Sequence, residues 1–310
     1  MSAAVQQVPS PFSPTPSQVA VAYSVCRSIT RSEAKNFYYA FLVLPEAKRQ
    51  ALCAVYAYMR RCDDIADDTK LPSYERRQRL EAWLEAFHRA ESGHPTDDPV
   101  LLALTDTQRR FKIPLELLDQ LAFGTGMDIQ DSEAPGSGEL QVLYQTFADL
   151  RMYCYRVASV VGLVCIRIFG YRDPAAEALA ENLGLAFQLT NIIRDIQEDA
   201  AMGRIYLPAE DLARFEISPP EFRQREIPER LRWLLAAEAD RAREYYSSAR
   251  ELLHLIDEDS QPALWVLVTI YRRLLEKISD RKYDVFGKKI SLTAREKVTI
   301  LGKGLVKRLA

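Results

Sequence analysis

The chain has 310 residues, 48% of them hydrophobic and 27% charged, with a formal net charge of −2. That is enough chain to bury a sizeable core in one large domain or two ordinary ones. The near-neutral balance gives no basis for nucleic-acid binding. The first 20 residues carry Pro9, Pro11, Pro14 and Pro16 among Ser and Gln, without the basic start or apolar run of a signal peptide, and read as a disordered lead-in. From there the chain reads as helices. Residues 46–71 lack Gly and Pro and lie between Pro45 and Pro72. Asp131–Glu139 (DSEAPGSGE) is the clearest loop. Asp173-Pro174 opens a helix running toward Gly203, and Ser218-Pro-Pro-Glu221 and Thr293-Ala-Arg-Glu296 fit capping boxes. No alternating strand-and-turn series appears. The expectation is an all-α fold with one domain over 21–310. The longest apolar runs, near 157–166 and 262–271, are about half of the ~20 residues a membrane-spanning helix needs, so no span and a cytoplasmic location are expected.

Five cysteines, none in a C-x-x-C pair, sit mostly among apolar residues and suit reduced, packed thiols. Three histidines lack zinc spacing. The acidic side chains are more telling. Tyr56, Arg60, Asp63 and Asp67 follow at steps of four, three and four within RRCDDIADD, which puts them on one helix face. Gln188, Asn191, Asp195 and Asp199 share a face in the same way around NIIRDIQED, with Arg194 beside them. Solvated helix faces would account for either motif alone. Two acidic faces on otherwise apolar helices, each with like charges at i,i+4, instead call for a bound cation. Hard oxygen ligands without His or Cys point to Mg²⁺, which typically bridges carboxylates to substrate phosphates. Interleaved arginines suit the remaining phosphate oxygens. The reading is a diphosphate–Mg²⁺ site between two helices. A leaving diphosphate would leave behind a carbocation, which an apolar pocket lined by aromatics such as Phe37, Tyr38, Tyr39, Phe41, Tyr153, Tyr155, Phe187 and Tyr271 would shield.

With these flanks, the sequence resembles the squalene/phytoene synthase family over residues 22–290. The likeness rests on AKNFYYAFLVLP (34–45), YAYMRRCDDIADD (56–68), YQTFADLRMYCYRVASVVG (144–162), QLTNIIRDIQEDAAMGRIYLP (188–208) and Tyr271 with YDVFGKK (283–289). The resemblance implies an isoprenoid-synthase helical bundle with a central cavity and magnesium at both aspartate pairs. It implies Asp63, Asp67, Asn191, Asp195 and Asp199 as metal-binding residues, and Arg60, Arg194, Tyr271 and Lys288 as diphosphate contacts. Phe37, Tyr56, Tyr153 and Gln188 would line the pocket near the reacting carbons. Asn36 stands where the family commonly has Ser. Within the family, DDIAD, FYYAFLVLP and YDVF resemble the presqualene diphosphate synthases of bacterial hopanoid biosynthesis. The expected reaction is then head-to-head condensation of two farnesyl diphosphates to presqualene diphosphate. The alternatives are phytoene from two geranylgeranyl diphosphates, or squalene by a further NADPH-dependent reduction. The proton acceptor stays open between Tyr56, Tyr153 and released pyrophosphate. No GxGxxG occurs, and neither GTGMD (124–128) nor GKG (302–304) makes a dinucleotide fingerprint, so NADPH is not expected. Retention of both aspartate pairs argues against a non-enzymatic relative.

From Arg272 onward the chain holds 12 Lys and Arg against 4 Asp and Glu. Ala294, Val298, Leu301, Leu305 and Leu309 form an apolar stripe with Lys297, Lys303, Lys307 and Arg308 around it. Two readings stand: a terminal helix packed on the body with a solvated basic face, or a basic amphipathic helix resting on an anionic membrane.

Overall fold

The computed structural model describes residues 14–34, 37–68, 70–127, 129 and 140–309, with side chains through Val306. Asn36 and the DSEAPGSGE loop lie outside them. Helix α1 (Pro16–Glu33) starts within the stretch expected to be disordered. Thr15 and Gln18 close a capping box, and Pro16 sits where its missing N–H costs nothing. Residues 16–20 of that stretch are therefore helical. A single turn, α2 (Phe37–Phe41), leads to α3 (Glu46–Ala66). Sequence spacing suggested that α3 runs to residue 71, but it stops at Ala66. The Arg76 guanidinium, 2.7 Å away, takes the Ala66 carbonyl. Asp67 keeps a helical backbone, its N–H bonding the Asp63 carbonyl at 2.8 Å, so the i,i+4 relation survives the helix end.

Then come α4 (Ser73–Glu91), α5 (Pro99–Phe111) and α6 (Leu115–Gly126), followed by α7 (Phe147–Cys154), a π-helical turn (Tyr155–Ser159) and α8 (Val160–Phe169). The run Phe147–Phe169 is long and apolar enough to cross a membrane by length and composition, yet half of its apolar window is buried in the bundle, where it packs on α6 and on α9 (Ala175–Ala201). Beyond α9 lie α10 (Ala209–Arg214), a 3₁₀ turn (Pro219–Arg223), α11 (Glu229–Tyr246), α12 (Ser248–Leu255), α13 (Gln261–Asp280) and α14 (Ala294–Leu309). The capping boxes read at Ser218 and Thr293 are both present, the first on the 3₁₀ turn. One short parallel pair, β1 (Gln141–Val142) with β2 (Arg204–Ile205), ties the strand before α7 to the end of the second acidic motif.

Close helix approach depends on small residues. A Cβ on Gly184 of α9 would sit 2.6 Å from the Ser159 Cα, and one on Gly124 of α6 would sit 2.6 Å from the Arg156 carbonyl oxygen. Both glycines press against the π turn, which lies at the junction of α6, α8 and α9. The five cysteines are free, four of them fully buried, as their apolar neighbours implied. Helix α14 packs on α13 and α2 through Ile300, Leu301 and Gly304. Val298 and Leu305, read as part of its apolar stripe, face solvent.

Candidate active site

Helices α2, α3, α8, α9, α12 and α13 enclose an apolar cavity of about 270 Å³. Each contributes residues one turn apart: Leu52, Val55, Tyr56 and Met59 from α3; Ala180, Gly184, Phe187, Gln188 and Asn191 from α9; Leu264, Leu267 and Tyr271 from α13. Polar side chains sit at one end (Tyr56, Gln188, Asn191, Tyr271), and apolar ones (Leu52, Ile166, Phe169, Leu264) at the other. From Asn191 to Ala180 the wall of α9 is eleven residues, or about 16 Å, deep. The aromatic lining is narrower than the sequence suggested. Phe37, Phe41, Phe187 and Tyr271 line the cavity, joined by Tyr56 and Phe169, whereas Tyr38, Tyr39 and Tyr155 do not. Tyr271 stacks on Phe187, their centroids 4.3 Å apart and planes 16° from parallel, and meets Phe37 at 6.0 Å.

The acidic residues continue these same faces past the polar end. Asp63 lies one turn beyond Met59, and Asp195 one turn beyond Asn191. Burial and the neighbouring Asp67 push the Asp63 carboxyl from 3.8 up to about 6, although Thr125 of α6 donates a hydrogen bond to it at 3.4 Å. Arg60 is turned to Asp64, at 2.7 Å. On α9, Arg194 grips Asp195 with a fork, its Nε 2.7 Å from Oδ1. Burial opposes the Arg194 charge, but that fork more than offsets it and leaves its pKa raised. Burial likewise raises Tyr271, against the field of Arg194 and a hydrogen bond from Asn191. The buried Asn191 Oδ1 has no partner.

Two of the expected site residues lie apart from the others. Lys288 and Lys289 are both exposed, but it is Lys289 that pairs with the second acidic motif, 3.0 Å from Asp195 and also paired with Glu198. The Gly287 N–H bonds Gln197 Oε1 at 2.7 Å and holds this loop over the second motif. Tyr153, expected near the reacting carbons, is buried in a stack with Tyr206 at 5.2 Å and Tyr144 at 5.4 Å and does not line the cavity. Sequence reasoning also missed Thr125 and Met59. Met59 shares the phase of Tyr56 and Asp63 and was readable from it; Thr125 comes from a distant helix and was not.

The residues fit a hard divalent cation. A buried carboxyl held high beside a second carboxylate, and an orphaned buried amide oxygen beside Asp195, are both donors lacking a positive partner. Among the described residues no three His, Cys, Asp or Glu side chains converge on one point. The two acidic faces are therefore separate pairs rather than a closed protein cage, which suits an ion completed by phosphate oxygens.

The squalene/phytoene synthase family profile matches residues 30–296. The chain is 37% identical over 299 residues to a 15-cis-phytoene synthase of Synechococcus elongatus, covering 92% of each chain. It is 36% identical over 292 residues to a phytoene synthase of Mycobacterium tuberculosis, covering 93% of this chain and 92% of that protein. Among solved structures it is similar to a dehydrosqualene synthase (TM-score 0.81, 31% identity, 93% of this chain and 96% of that one). It is also similar to the squalene synthase HpnC of Alicyclobacillus acidocaldarius (TM-score 0.77, 30% identity, 87% and 97%). The chain thus belongs to the squalene/phytoene synthase family and is a prenyltransferase that condenses isoprenyl diphosphates head to head.

Proposed function

We propose that the protein joins two molecules of geranylgeranyl diphosphate to make phytoene. This takes the place of the presqualene diphosphate reading, because the curated relatives named above are phytoene synthases. The observation that carries the reading is the likeness to those relatives over more than nine-tenths of the chain. An apolar, aromatic-lined cavity supports it, with Asp63 and Asp195 one helical turn beyond its lining residues Met59 and Asn191.

Asp63 and Asp67 on one side, and Asn191, Asp195 and Asp199 on the other, would hold Mg²⁺, which when bound neutralises charge on the departing diphosphate. Arg194 and Lys289 are placed to exchange their carboxylate partners for diphosphate oxygens, and Arg60 can do the same on leaving Asp64. As the C1–O bond of one substrate breaks, its electron pair leaves with pyrophosphate and an allylic cation remains. Phe37, Phe187 and Tyr271, which line the cavity, would shield that cation from water. The double bond of the second substrate attacks the cationic carbon, and loss of a proton closes a cyclopropane that still carries the second diphosphate. Departure of that diphosphate opens and rearranges the ring, and loss of a second proton leaves the central double bond of phytoene, with no reductant required. Burial lifts the Tyr56 phenol to about 12, so it holds its proton at neutral pH. That favours released pyrophosphate over Tyr56 as proton acceptor.

A second reading keeps farnesyl diphosphate as substrate, favoured by the similarity to dehydrosqualene and squalene synthase structures. Incubation with Mg²⁺ and each diphosphate separately, followed by mass analysis, tests both. A forty-carbon product from the twenty-carbon substrate, at higher kcat/KM than the thirty-carbon product from farnesyl diphosphate, is the expected result. The reverse order selects the second reading, and no condensation with either refutes both.

A further inference from the structure

Behind α13, on the side away from the cavity, α12, α13 and α14 enclose an open groove of about 660 Å³. Its floor is apolar, built from Leu253, Trp265, Val268 and Ile300, and its rim carries Arg250, Arg272, Arg273 and Arg295. Arg273 is committed to Glu276 at 3.2 Å, Asp280 at 3.5 Å and Glu296 at 3.6 Å. The other three are exposed and pair with no carboxylate among the described residues. Glu276 and Glu296 also line the groove but are taken by Arg273, and the three guanidinium forks left over, set around an apolar floor, match a phosphate carried on an apolar chain.

Helix α14 adds a second feature. It is fixed to the body by Ile300 and Leu301, and by Gly304, whose replacement by any larger residue would put a Cβ 2.4 Å from the Val266 side chain. That anchoring turns Val298 (58% exposed), Val306 (66%) and Leu305 (40%) outward, beside Arg295 and Lys303. A soluble anion has no use for such an apolar edge. A bilayer does, because apolar side chains enter its interface while the neighbouring cations meet its headgroups.

We infer that this groove seats the phosphate headgroup of an anionic phospholipid, and that the α12–α14 face docks the protein on an anionic bilayer. Leu264, Leu267 and Tyr271, on the opposite side of α13, are cavity wall. Docking therefore places the cavity one helix away from the membrane, a placement that suits release of a hydrocarbon with no polar group; this purpose, though not the binding, rests on the function proposed above.

The test is co-sedimentation of the full chain, without substrate, with vesicles of phosphatidylcholine alone or with one-third phosphatidylglycerol. The protein should pellet with the anionic vesicles only. Each arginine is expected to contribute about fivefold, so R250A/R272A/R295A should weaken binding on the order of a hundredfold. V298S/V306S should weaken it too, and R77A/R156A, in a separate surface groove, should leave it unchanged. Circular dichroism and detergent-based turnover should match wild type in every variant. Loss of turnover with vesicle binding intact would count against the catalytic reading alone. The inference is overturned if wild type ignores anionic vesicles, if the triple variant binds as well as wild type, or if R77A/R156A is the variant that fails. It is overturned equally if inorganic phosphate alone raises wild-type thermal stability through these arginines while vesicles do not bind.

Discussion

Asp63→Asn should stabilise the metal-free protein while destroying its activity. Burial and Asp67 raise the Asp63 pKa from 3.8 to about 6, which places about 3 kcal/mol against its ionised form at neutral pH. Because the folded value lies above the unfolded one, the stability linked to this carboxyl is fully present below about pH 3.8 and is lost as pH rises through about 6. Asparagine carries no charge at any pH and removes the penalty, at the cost of a weak hydrogen bond from Thr125. Allowing for partial solvent screening, the gain at pH 7.5 in chelator should be about 1–3 kcal/mol, or roughly 1.5–4.5 °C in Tm for a chain of this length. The gain should disappear near pH 4. Urea unfolding followed by circular dichroism at both pH values, with and without Mg²⁺ and a diphosphate analogue, measures it. Added metal and analogue should reverse the order, because only wild type binds them well. A variant less stable than wild type at pH 7.5, or a gain equal at both pH values, would refute the argument that Asp63 is held for an absent cation.

Lys289→Met should lower kcat/KM by about ten- to a hundredfold, the range for loss of a charge-assisted contact of about 1.5–3 kcal/mol, whereas Lys288→Met should leave it within about twofold; steady-state kinetics on both variants decides. Gly184→Ala, whose Cβ would meet Ser159 at 2.6 Å, should cost about 1–3 kcal/mol in chemical unfolding through overpacking, and an unchanged midpoint would show that the π turn yields. Phe169→Ala should cost about 3–5 kcal/mol and shift substrate preference toward longer chains by opening the deep end of the cavity; an unshifted product profile would place the chain terminus elsewhere. Glu238 is 1% exposed, and Arg241 bridges it to Asp211, donating to Glu238 at 2.7 Å and to Asp211 at 3.0 Å. Burial raises its pKa, Arg241 notwithstanding. Glu238→Gln should therefore gain stability relative to wild type as pH rises through neutrality, and a gain on acidification instead would contradict this.

Helical periodicity carried most of what the sequence disclosed. Steps of three and four placed Tyr56 with Asp63 and Gln188 with Asn191 and Asp195, and the cavity wall and its acidic rim keep those phases. Residues outside a helix were not legible in the same way. Lys288 and Lys289 are adjacent in a loop without regular phase, so spacing had no means of choosing between them. Tyr153 lies on α7 just before the π turn, which adds a residue to the helical repeat and rotates α8 relative to α7; the aromatic stack with Tyr144 and Tyr206 also depends on contacts from distant segments. Helix ends were displaced for local reasons. Arg76 terminates α3 early, and the Thr15–Gln18 capping box starts α1 within a proline-rich stretch whose composition resembles disorder. In α14 the apolar stripe was real but its direction was not readable, because Gly304, a weak helix former, is the residue that lets the helix sit down on Val266.

The most direct test of the account is a crystal structure with Mg²⁺ and a non-hydrolysable thiolo analogue of geranylgeranyl diphosphate. The prenyl chain should run between α3, α8, α9 and α13 toward Phe169, with the diphosphate between Asp63 and Asp195 and with Arg194 and Lys289 turned from Asp195 to its oxygens. A diphosphate bound elsewhere, with the Arg194 and Lys289 ion pairs to Asp195 left intact, would contradict the assignment of the two acidic faces as the site of ionisation.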